Sequence, residues 1–120
     1  MKESGLANEN ELAYASYDTF PVSDLHCLII PKRHVKDYFD LTDEEVIACN
    51  ELIKLIKKEI ELKDPSVEGF NLGTNAGQIA GQSILHCHIH IIPRRKGDVD
   101  NPQGGIRSVI PQKQHYKRKS

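Results

Sequence analysis

The sequence SILHCHIHIIPR, residues 83–94, decides how this chain is interpreted. Histidines stand at positions 86, 88 and 90 and alternate with Cys87, Ile89 and Ile91. Side chains two residues apart on a β-strand share one face, so a strand over this stretch predicts three imidazoles in one row. A helix would turn the middle ring away from the other two, and the β-branched isoleucines favour the strand.

The composition predicts a single domain over residues 1–120, with one small hydrophobic core. A formal net charge of −1 gives no global field that would attract nucleic acid or an anionic membrane. No apolar run approaches the ~20 residues of a membrane span, and the first residues contain no signal-peptide core. The three cysteines form no C-x-x-C pair, which favours a reduced, cytoplasmic setting.

Apolar runs and turn residues divide the chain into strands, loops and one helix. Residues 1–10 are expected to form a loose polar arm and residues 112–120 a polar tail. The predicted strands are an edge strand over 11–17, a buried strand over 25–30 that Pro31 ends, a third strand over 69–75 and the histidine strand over 83–94.

One long helix is predicted to begin at Thr42, which forms a capping box with Glu45. Apolar residues then follow helical spacing at Val46, Cys49, Ile53, Ile56 and Ile60. The Asp64-Pro65 dipeptide marks the end of the helix. We assign this helix to packing, with its lysines on a solvated face.

A row of imidazoles suits two kinds of site. In a zinc site an adjacent His-x-His pair could share one ion, with His26 or His34 recruited as a third ligand. In catalysis at phosphorus, one imidazole attacks while its neighbours orient it and bind phosphoryl oxygens. Gln82 and Ser83 supply uncharged donors beside the row, which suit a phosphate better than a metal. A purely structural row is least favoured, because each unpartnered buried ring costs about 1–3 kcal/mol.

The loop over residues 76–82 leads directly into the histidine stretch, and glycines stand at 73, 77 and 81. These glycines predict backbone with positive φ. They also allow the backbone N–H groups to approach a phosphate as an anion nest, and the adjacent histidines favour this second interpretation.

The motif His86-Cys-His88-Ile-His90-Ile-Ile resembles the signature His-φ-His-φ-His-φ-φ of the histidine triad (HIT) family, in which φ is apolar. Further similar blocks are Asn75-Ala-Gly77, Gly81-Gln82-Ser83, Leu28-Ile-Ile-Pro-Lys-Arg-His34, Tyr17-Asp18 and Pro21-Val22-Ser23. The resemblance therefore covers roughly residues 8–112.

This resemblance implies an α+β, HIT-like fold, an antiparallel sheet with one long helix packed on it, that pairs into a homodimer. It implies hydrolysis or transfer at the α-phosphorus of a nucleotide through a nucleotidyl-histidine intermediate. The implied catalytic residues are His88 as nucleophile, His90 with the backbone after Gln82 as ligands of the α-phosphate, and His86 and His26 as orienting residues. The implied nucleotide contacts are Asp18 to the ribose, Phe20 and Leu28 to the base, and Asn75, Gln82 and Ser83 to the phosphate or leaving group.

Two departures from the family pattern affect these expectations. No cysteine precedes Cys27, whereas many relatives carry zinc-binding cysteines there, so we expect no structural zinc. Asp24-Leu25 replaces the usual Pro-Gly, which is expected to reshape the turn before His26. The run Pro93-Arg-Arg-Lys-Gly-Asp98 is more similar to the dinucleoside polyphosphate hydrolase branch than to the phosphoramidase branch.

The favoured hypothesis is therefore a nucleotide hydrolase or transferase that needs no metal for the attack, with Mg²⁺ accompanying a polyphosphate substrate. Two alternatives stay open: a zinc-dependent hydrolase, and a protein that binds nucleotides without turnover. The expected partners are a small-molecule nucleotide and a second copy of the chain, with neither nucleic acid nor membrane.

Overall fold

The computed structural model describes residues 5–117, which form one antiparallel sheet with a long helix on one face. The strands are β1 (Leu6–Glu9), β2 (Ala13–Tyr17), β3 (Cys27–Pro31), β4 (Val67–Gly73) and β5 (Ile89–Arg95), and the helix is α1 (Asp43–Lys63). The order across the sheet is β1-β2-β3-β5-β4. The predicted architecture, an antiparallel sheet with one helix, is confirmed.

Helix α1 begins as its sequence predicts. The Thr42 side chain accepts a hydrogen bond from the Glu45 N–H, and the Glu45 carboxylate accepts one from the Thr42 N–H. Two of the N–H groups that a helix start leaves unpaired are thereby satisfied. The helix ends at Lys63, before Pro65, as expected.

The core lies between α1 and one face of the sheet. Ile29, Ile56 and Ile60 are fully buried there, and Ile91 is 1% exposed. Because neighbouring side chains on a strand alternate in direction, Leu28 and His90 lie on the opposite face, directly across from each other in the β3–β5 register. The helix therefore covers one face of the sheet, and the histidine site occupies the other.

The N-terminal part of the chain is more ordered than predicted. Residues 6–9 form β1 and pair with β2, so the expectation of a loose arm over 1–10 is wrong for these residues, and residues 1–4 lie outside the described part. Strand β2 is consequently an interior strand and not an edge. Its alternating Ala13 and Ala15 are fully buried, because they pack under the helix.

The histidine stretch is only partly a strand, which corrects the prediction over 83–94. Strand β5 begins at Ile89, the first residue of this stretch that pairs with β3. Before it, the Cys87 N–H donates to the carbonyl oxygen of Val35 at 2.8 Å, and the Thr74 hydroxyl donates to the carbonyl oxygen of His88 at 2.7 Å. These contacts take the place of hydrogen bonds to a neighbouring strand. His86 and His88 therefore precede the strand, and the three rings do not form one row.

The loop that leads into this stretch contains a short 3-10 helix over Gln78–Ala80, between Gly77 and Gly81. Both glycines have φ of +99°, as predicted, whereas Gly73 lies within β4. Further along the chain, 3-10 helices span Gly105–Val109 and Pro111–Lys113, where the sequence indicated only irregular chain and a tail. Within residues 5–117, no helix is long and apolar enough to cross a membrane.

Candidate active site

The site is centred on two histidines that the sheet brings together from distant parts of the sequence. His26 stands one residue before β3 and His90 is the second residue of β5. Their ring centroids are 5.1 Å apart, and the His26 Nε2 atom lies 2.9 Å from the His90 Nδ1 atom. His26 is thus a partnered member of the site and not a lone core histidine.

The backbone fixes the tautomers of this pair. The Val22 N–H donates to His26 Nδ1 at 3.1 Å, so that nitrogen carries a lone pair and the proton of a neutral ring is on Nε2. His26 Nε2–H therefore donates to His90 Nδ1. The consequence is that neutral His90 carries its own proton on Nε2, where it can be donated to a ligand.

Burial keeps both rings neutral. His26 is 2% exposed, and burial lowers its pKa, an effect that the nearby Asp18 carboxylate partly offsets. Burial also lowers the pKa of His90, and the neighbouring His88 and His26 lower it further. A carboxylate oxygen of Asp18 lies 3.6 Å from His26 Nε2. His90 is therefore an uncharged hydrogen-bond donor at neutral pH.

His88 has the opposite arrangement of proton and lone pair. Its Nδ1 atom lies 2.9 Å from the backbone carbonyl oxygen of His86, which can only accept, so Nδ1 carries the proton. In the neutral ring this leaves a lone pair on Nε2. The rings of His88 and His90 have centroids 5.1 Å apart. A nitrogen with a free lone pair and an N–H donor therefore belong to neighbouring rings.

The side chain of His86 is directed elsewhere. Its Nε2 atom lies 3.1 Å from the Pro31 carbonyl oxygen, and its ring packs edge-on against His34, with centroids 4.8 Å apart. His86 contacts His88 through its backbone carbonyl. The backbone carbonyl of His86 can therefore fill the predicted orienting role. The ring of His86 instead contacts the end of β3 and His34, which follows it.

Asp18, His26 and His90 also lie close enough together to consider a metal site, with ligand atoms within 4.8 Å of one another. A metal needs a lone pair on the coordinating nitrogen. The Val22 N–H already occupies the lone pair of His26, which leaves a proton on the nitrogen that faces the other two residues. This trio is therefore better suited to a hydrogen-bonded set than to zinc ligation.

The side-chain amide of Gln82 is paired within the protein. It is 3% exposed, and its amide nitrogen donates to the carbonyl oxygens of Lys36 at 2.6 Å and Ile84 at 3.1 Å. Its amide oxygen accepts from the Gly77 N–H at 2.9 Å. Because both ends of the amide are occupied, the side chain shapes the glycine loop, and the predicted donors to a phosphate are the backbone after Gln82 and the exposed Ser83.

The remaining predicted contacts surround these histidines. Asn75 follows β4, beside Gly81, and Leu28 is buried opposite His90. Phe20 is 86% exposed at the tip of its turn, so it does not enclose a base in this structure. Leu25, which stands where the family pattern has glycine, has a φ of +72°. Glycine adopts this left-handed conformation without strain, whereas leucine does not.

Comparison with known proteins identifies the family. The family model described as the HIT domain matches residues 2–97. The chain belongs to the HIT family. It is 38% identical over 86 residues to the adenosine 5′-monophosphoramidase of Schizosaccharomyces pombe, covering 72% of this chain and 61% of the relative. It is 38% identical over 116 residues to the AP-4-A phosphorylase of Mycobacterium tuberculosis, covering 92% of this chain and 57% of that relative.

The HIT fold is shown by solved structures as well. A crystal structure of a HIT family protein from Bacillus anthracis matches with a TM-score of 0.73 and 36% identity, covering 78% of this chain and 66% of that one. This HIT chain thus spans about two thirds or less of the length of each of these three relatives.

Two residues that contribute to the HIT site were not singled out from the sequence. The Val22 N–H sets the tautomer of His26, and the Thr74 hydroxyl holds the carbonyl oxygen of His88. Val22 lies within a block that resembles the family, but a backbone N–H gives no signal of its own in a sequence. Thr74 directly precedes Asn75, and only the fold places it beside His88.

Proposed function

We propose that this chain is a nucleotide hydrolase or transferase that acts at the α-phosphorus of its substrate through a covalent nucleotidyl-histidine intermediate on His88. The observation that supports the proposal is the pairing of protonation states in the site. His88 has a lone pair on Nε2, and the neighbouring ring of His90, whose centroid is 5.1 Å away, has an N–H on Nε2, so one phosphoryl group could be attacked by the first ring and held by the second.

In the first step, His88 Nε2 forms a bond to phosphorus while the bond from phosphorus to the leaving group breaks, and the leaving group departs with its electron pair. The substituted imidazole retains its Nδ1 proton and becomes positively charged. The His86 carbonyl oxygen, 2.9 Å from that nitrogen, accepts a stronger hydrogen bond from the charged ring and stabilises it.

In the second step, water, or another acceptor in a transferase, forms a bond to phosphorus while the bond from phosphorus to His88 Nε2 breaks. The electron pair of that bond returns to His88, and the proton that the attacking group loses passes to solvent. Throughout, His90 and the backbone after Gln82 hold the phosphoryl oxygens. Asp18 and Leu28 contact the nucleoside. No cofactor is needed for either attack, and Mg²⁺ would accompany a polyphosphate substrate as its counterion.

Two classes of leaving group fit the proposal. One relative is named as an AP-4-A phosphorylase and another as an adenosine 5′-monophosphoramidase, which supports either a second nucleotide or an amine. We further propose that the chain works as a homodimer in the cytoplasm, as the family resemblance implies.

The proposal is tested by trapping the intermediate. Wild-type protein is mixed with a substrate labelled at the α-phosphorus, quenched within one turnover and digested for mass analysis. We expect one nucleotidyl group on the peptide that contains His88. A label on another residue would contradict the mechanism, and tight binding of AMP without any turnover would favour the non-catalytic alternative.

A further inference from the structure

The turn that precedes β3 carries the N–H that fixes the protonation of His26. The Val22 N–H donates to His26 Nδ1 at 3.1 Å, and the His26 N–H donates to the Ser23 carbonyl oxygen at 3.1 Å. Val22 is 71% exposed, and Leu25 lies within this turn with a φ of +72°. Because a strained conformation persists only where its surroundings impose it, the position of the Val22 N–H depends on contacts from outside the turn.

The first outside contact is made by the Ser23 hydroxyl. The register between β3 and β5 ends at the Cys27–Ile91 pair, so the carbonyl oxygen of Pro93 lies beyond the paired part of these two strands. The Ser23 hydroxyl donates to that oxygen at 2.8 Å. Pro93 is buried and is the register partner of a residue of β4 on its other side. Ser23 therefore fastens the turn, one residue after Val22, to the interior of the sheet.

The second outside contact is made by Arg95, two residues further along β5. Its Nη2 atom donates to the carbonyl oxygen of Asp24 at 3.0 Å, and its Nε atom donates to the Asp64 carboxylate at 2.9 Å. Asp64 directly follows α1, and hydrogen bonds from Ser66 and Arg95 lower its pKa to about 2, so this carboxylate is charged at neutral pH. The guanidinium is thereby held between the end of the helix and the turn.

Both contacts join the turn to the strand that carries His90. Ser23 and Asp24 directly follow Val22, and the groups that hold them stand three and five residues after His90 on β5. With the turn held in this way, the Nδ1 lone pair of His26 is occupied. The proton on His26 Nε2 then faces His90 Nδ1, 2.9 Å away.

We propose that Ser23 and Arg95 are positioning residues for the reaction. They keep the Val22 N–H on His26, and the fixed ring of His26 keeps His90 oriented as a hydrogen-bond donor. This inference rests on the proposed function, in which His90 holds a phosphoryl oxygen. Neither Ser23 nor Arg95 is assigned a contact with the nucleotide.

Loss of the Val22 donor would change His26 in a defined direction. A hydrogen bond donated to a ring nitrogen stabilises the neutral imidazole and opposes its protonation. Without that bond Nδ1 is open to a proton, and the Asp18 carboxylate, 3.6 Å from Nε2, would stabilise the resulting cation. Opening of the turn would also admit water to this buried ring. The pKa of His26 should therefore rise, and the ring should no longer hold His90 in one orientation.

The test uses two variants that release the turn by different routes. Ser23→Ala removes the hydroxyl, and Arg95→Met removes the guanidinium but keeps an unbranched side chain. Ser23→Thr retains the hydroxyl and serves as the rescue. Arg33→Met is the matched control, because Arg33 also bridges a carboxylate and a backbone carbonyl, those of Glu45 and Asp40, at the start of α1.

Three quantities are measured on the full chain: hydrogen exchange at the Val22 amide, the NMR titration of the His26 ring, and kcat/KM. The substrate is diadenosine tetraphosphate or adenosine 5′-phosphoramidate, whichever the wild type turns over faster. We expect Ser23→Ala and Arg95→Met to speed exchange at Val22 by about tenfold or more. They should also raise the pKa of His26 toward its ordinary value.

Turnover should follow these changes. In Ser23→Ala and Arg95→Met we expect kcat/KM to fall by about tenfold, because a small displacement of a group in an active site costs up to about 10²-fold. Ser23→Thr and Arg33→Met should keep the wild-type exchange, titration and turnover.

An unchanged titration of His26 in both turn variants would overturn the proposal. So would an equal fall of kcat/KM in Arg33→Met, because a general loss of stability would then account for the effect. A wild type that turns over neither substrate would refute the proposed function. In that case the two NMR measurements would still decide whether Ser23 and Arg95 hold the Val22 N–H on His26.

Discussion

The Nε2 atom of His26 lies 2.9 Å from the Nδ1 atom of His90, across the boundary between β3 and β5. The Val22 N–H fixes the protonation of the first ring, so this one hydrogen bond decides which nitrogen of His90 carries its proton. A backbone group in a surface turn thereby controls a donor in the active site. The same relay accounts for why a histidine 64 positions away in the sequence belongs to the site.

The first prediction concerns His88. His88→Ala should reduce turnover by more than the ~10²–10⁴ expected for loss of a general acid or base, because the covalent route disappears. Binding of AMP, measured by calorimetry, should change little, because the half-buried ring is not part of the core. The matched variant His86→Ala keeps the carbonyl oxygen that orients His88 and should lose less. Partial rescue of His88→Gly by imidazole would support the assignment, whereas an unimpaired His88→Ala would refute it.

The second prediction concerns pH. The pKa values of His26 and His90 lie below 6.5 in the folded state, so the unfolded chain binds more protons as the pH falls through that value. Because these rings bind protons less readily in the folded chain, the free energy of unfolding is undiminished above about pH 6.5. It falls below that pH, by up to about 1.4 kcal/mol per pH unit for each proton. Melting temperatures between pH 8 and 5 should show this loss. His26→Gln should reduce it, and His115→Gln, at an exposed ring, should not.

The third prediction concerns the start of α1. Two nitrogens of Arg33 donate to the Glu45 carboxylate at 2.9 and 2.8 Å, and these bonds, with those to Thr42, lower the pKa of Glu45 to about 2. Glu45→Gln should therefore destabilise the fold by about 1–3 kcal/mol at pH 7, as judged by urea unfolding. This difference should vanish as the pH falls from about 4.5 toward 2. Glu61→Gln, in an exposed pair with Lys57, should cost under about 1 kcal/mol.

The fourth prediction concerns Leu25, whose φ of +72° is strained for any residue with a Cβ. Leu25→Ala removes half-buried apolar contact but retains the strain, whereas Leu25→Gly removes both. The glycine variant should therefore be more stable than the alanine variant by about 1–2 kcal/mol, the reverse of their order in a regular helix or strand. Urea denaturation of the two variants measures the difference. Equal stability would show that the turn is not strained.

The fifth prediction concerns assembly. Ile47 on α1 is 59% exposed and Leu72 on the edge strand β4 is 49% exposed, and both line one groove together with Ile53. A second copy would cover this apolar groove and the free edge of β4. We expect a dimer by analytical ultracentrifugation, with Ile47→Glu producing monomers and Leu62→Glu serving as the control. A monomeric wild type at micromolar concentration would refute it.

The sequence predicted best those features that depend on neighbouring residues. Thr42 and Glu45 are three positions apart, and their capping box forms because a helix start brings any such pair together. Gly77 and Gly81 likewise adopt the positive φ that was expected. The antiparallel arrangement of the sheet followed from the family resemblance, whereas the helix was predicted from its own residues.

The prediction failed where distant residues decide the geometry. Alternation from His86 to His90 indicates a strand, but Val35 and Thr74 take the hydrogen bonds of this segment before β5 begins. Gln82 appeared to be a free donor because no sequence pattern shows that Lys36 and Ile84 accept from its amide. Likewise, Ile106 lies against Gly73, a contact between distant parts of the sequence that periodicity cannot indicate.

The order of strands also sets when the active site can appear during refolding. Strands β3 and β5 are neighbours in the sheet, yet α1 and β4 lie between them in the sequence. Their pairing must close a long loop before it gains any contact, whereas α1 and the β2–β3 hairpin need only local closure. Recovery of turnover after dilution from denaturant should therefore lag behind the return of helical circular dichroism. Enzymatic activity would thus report on the slowest long-range contact in this chain.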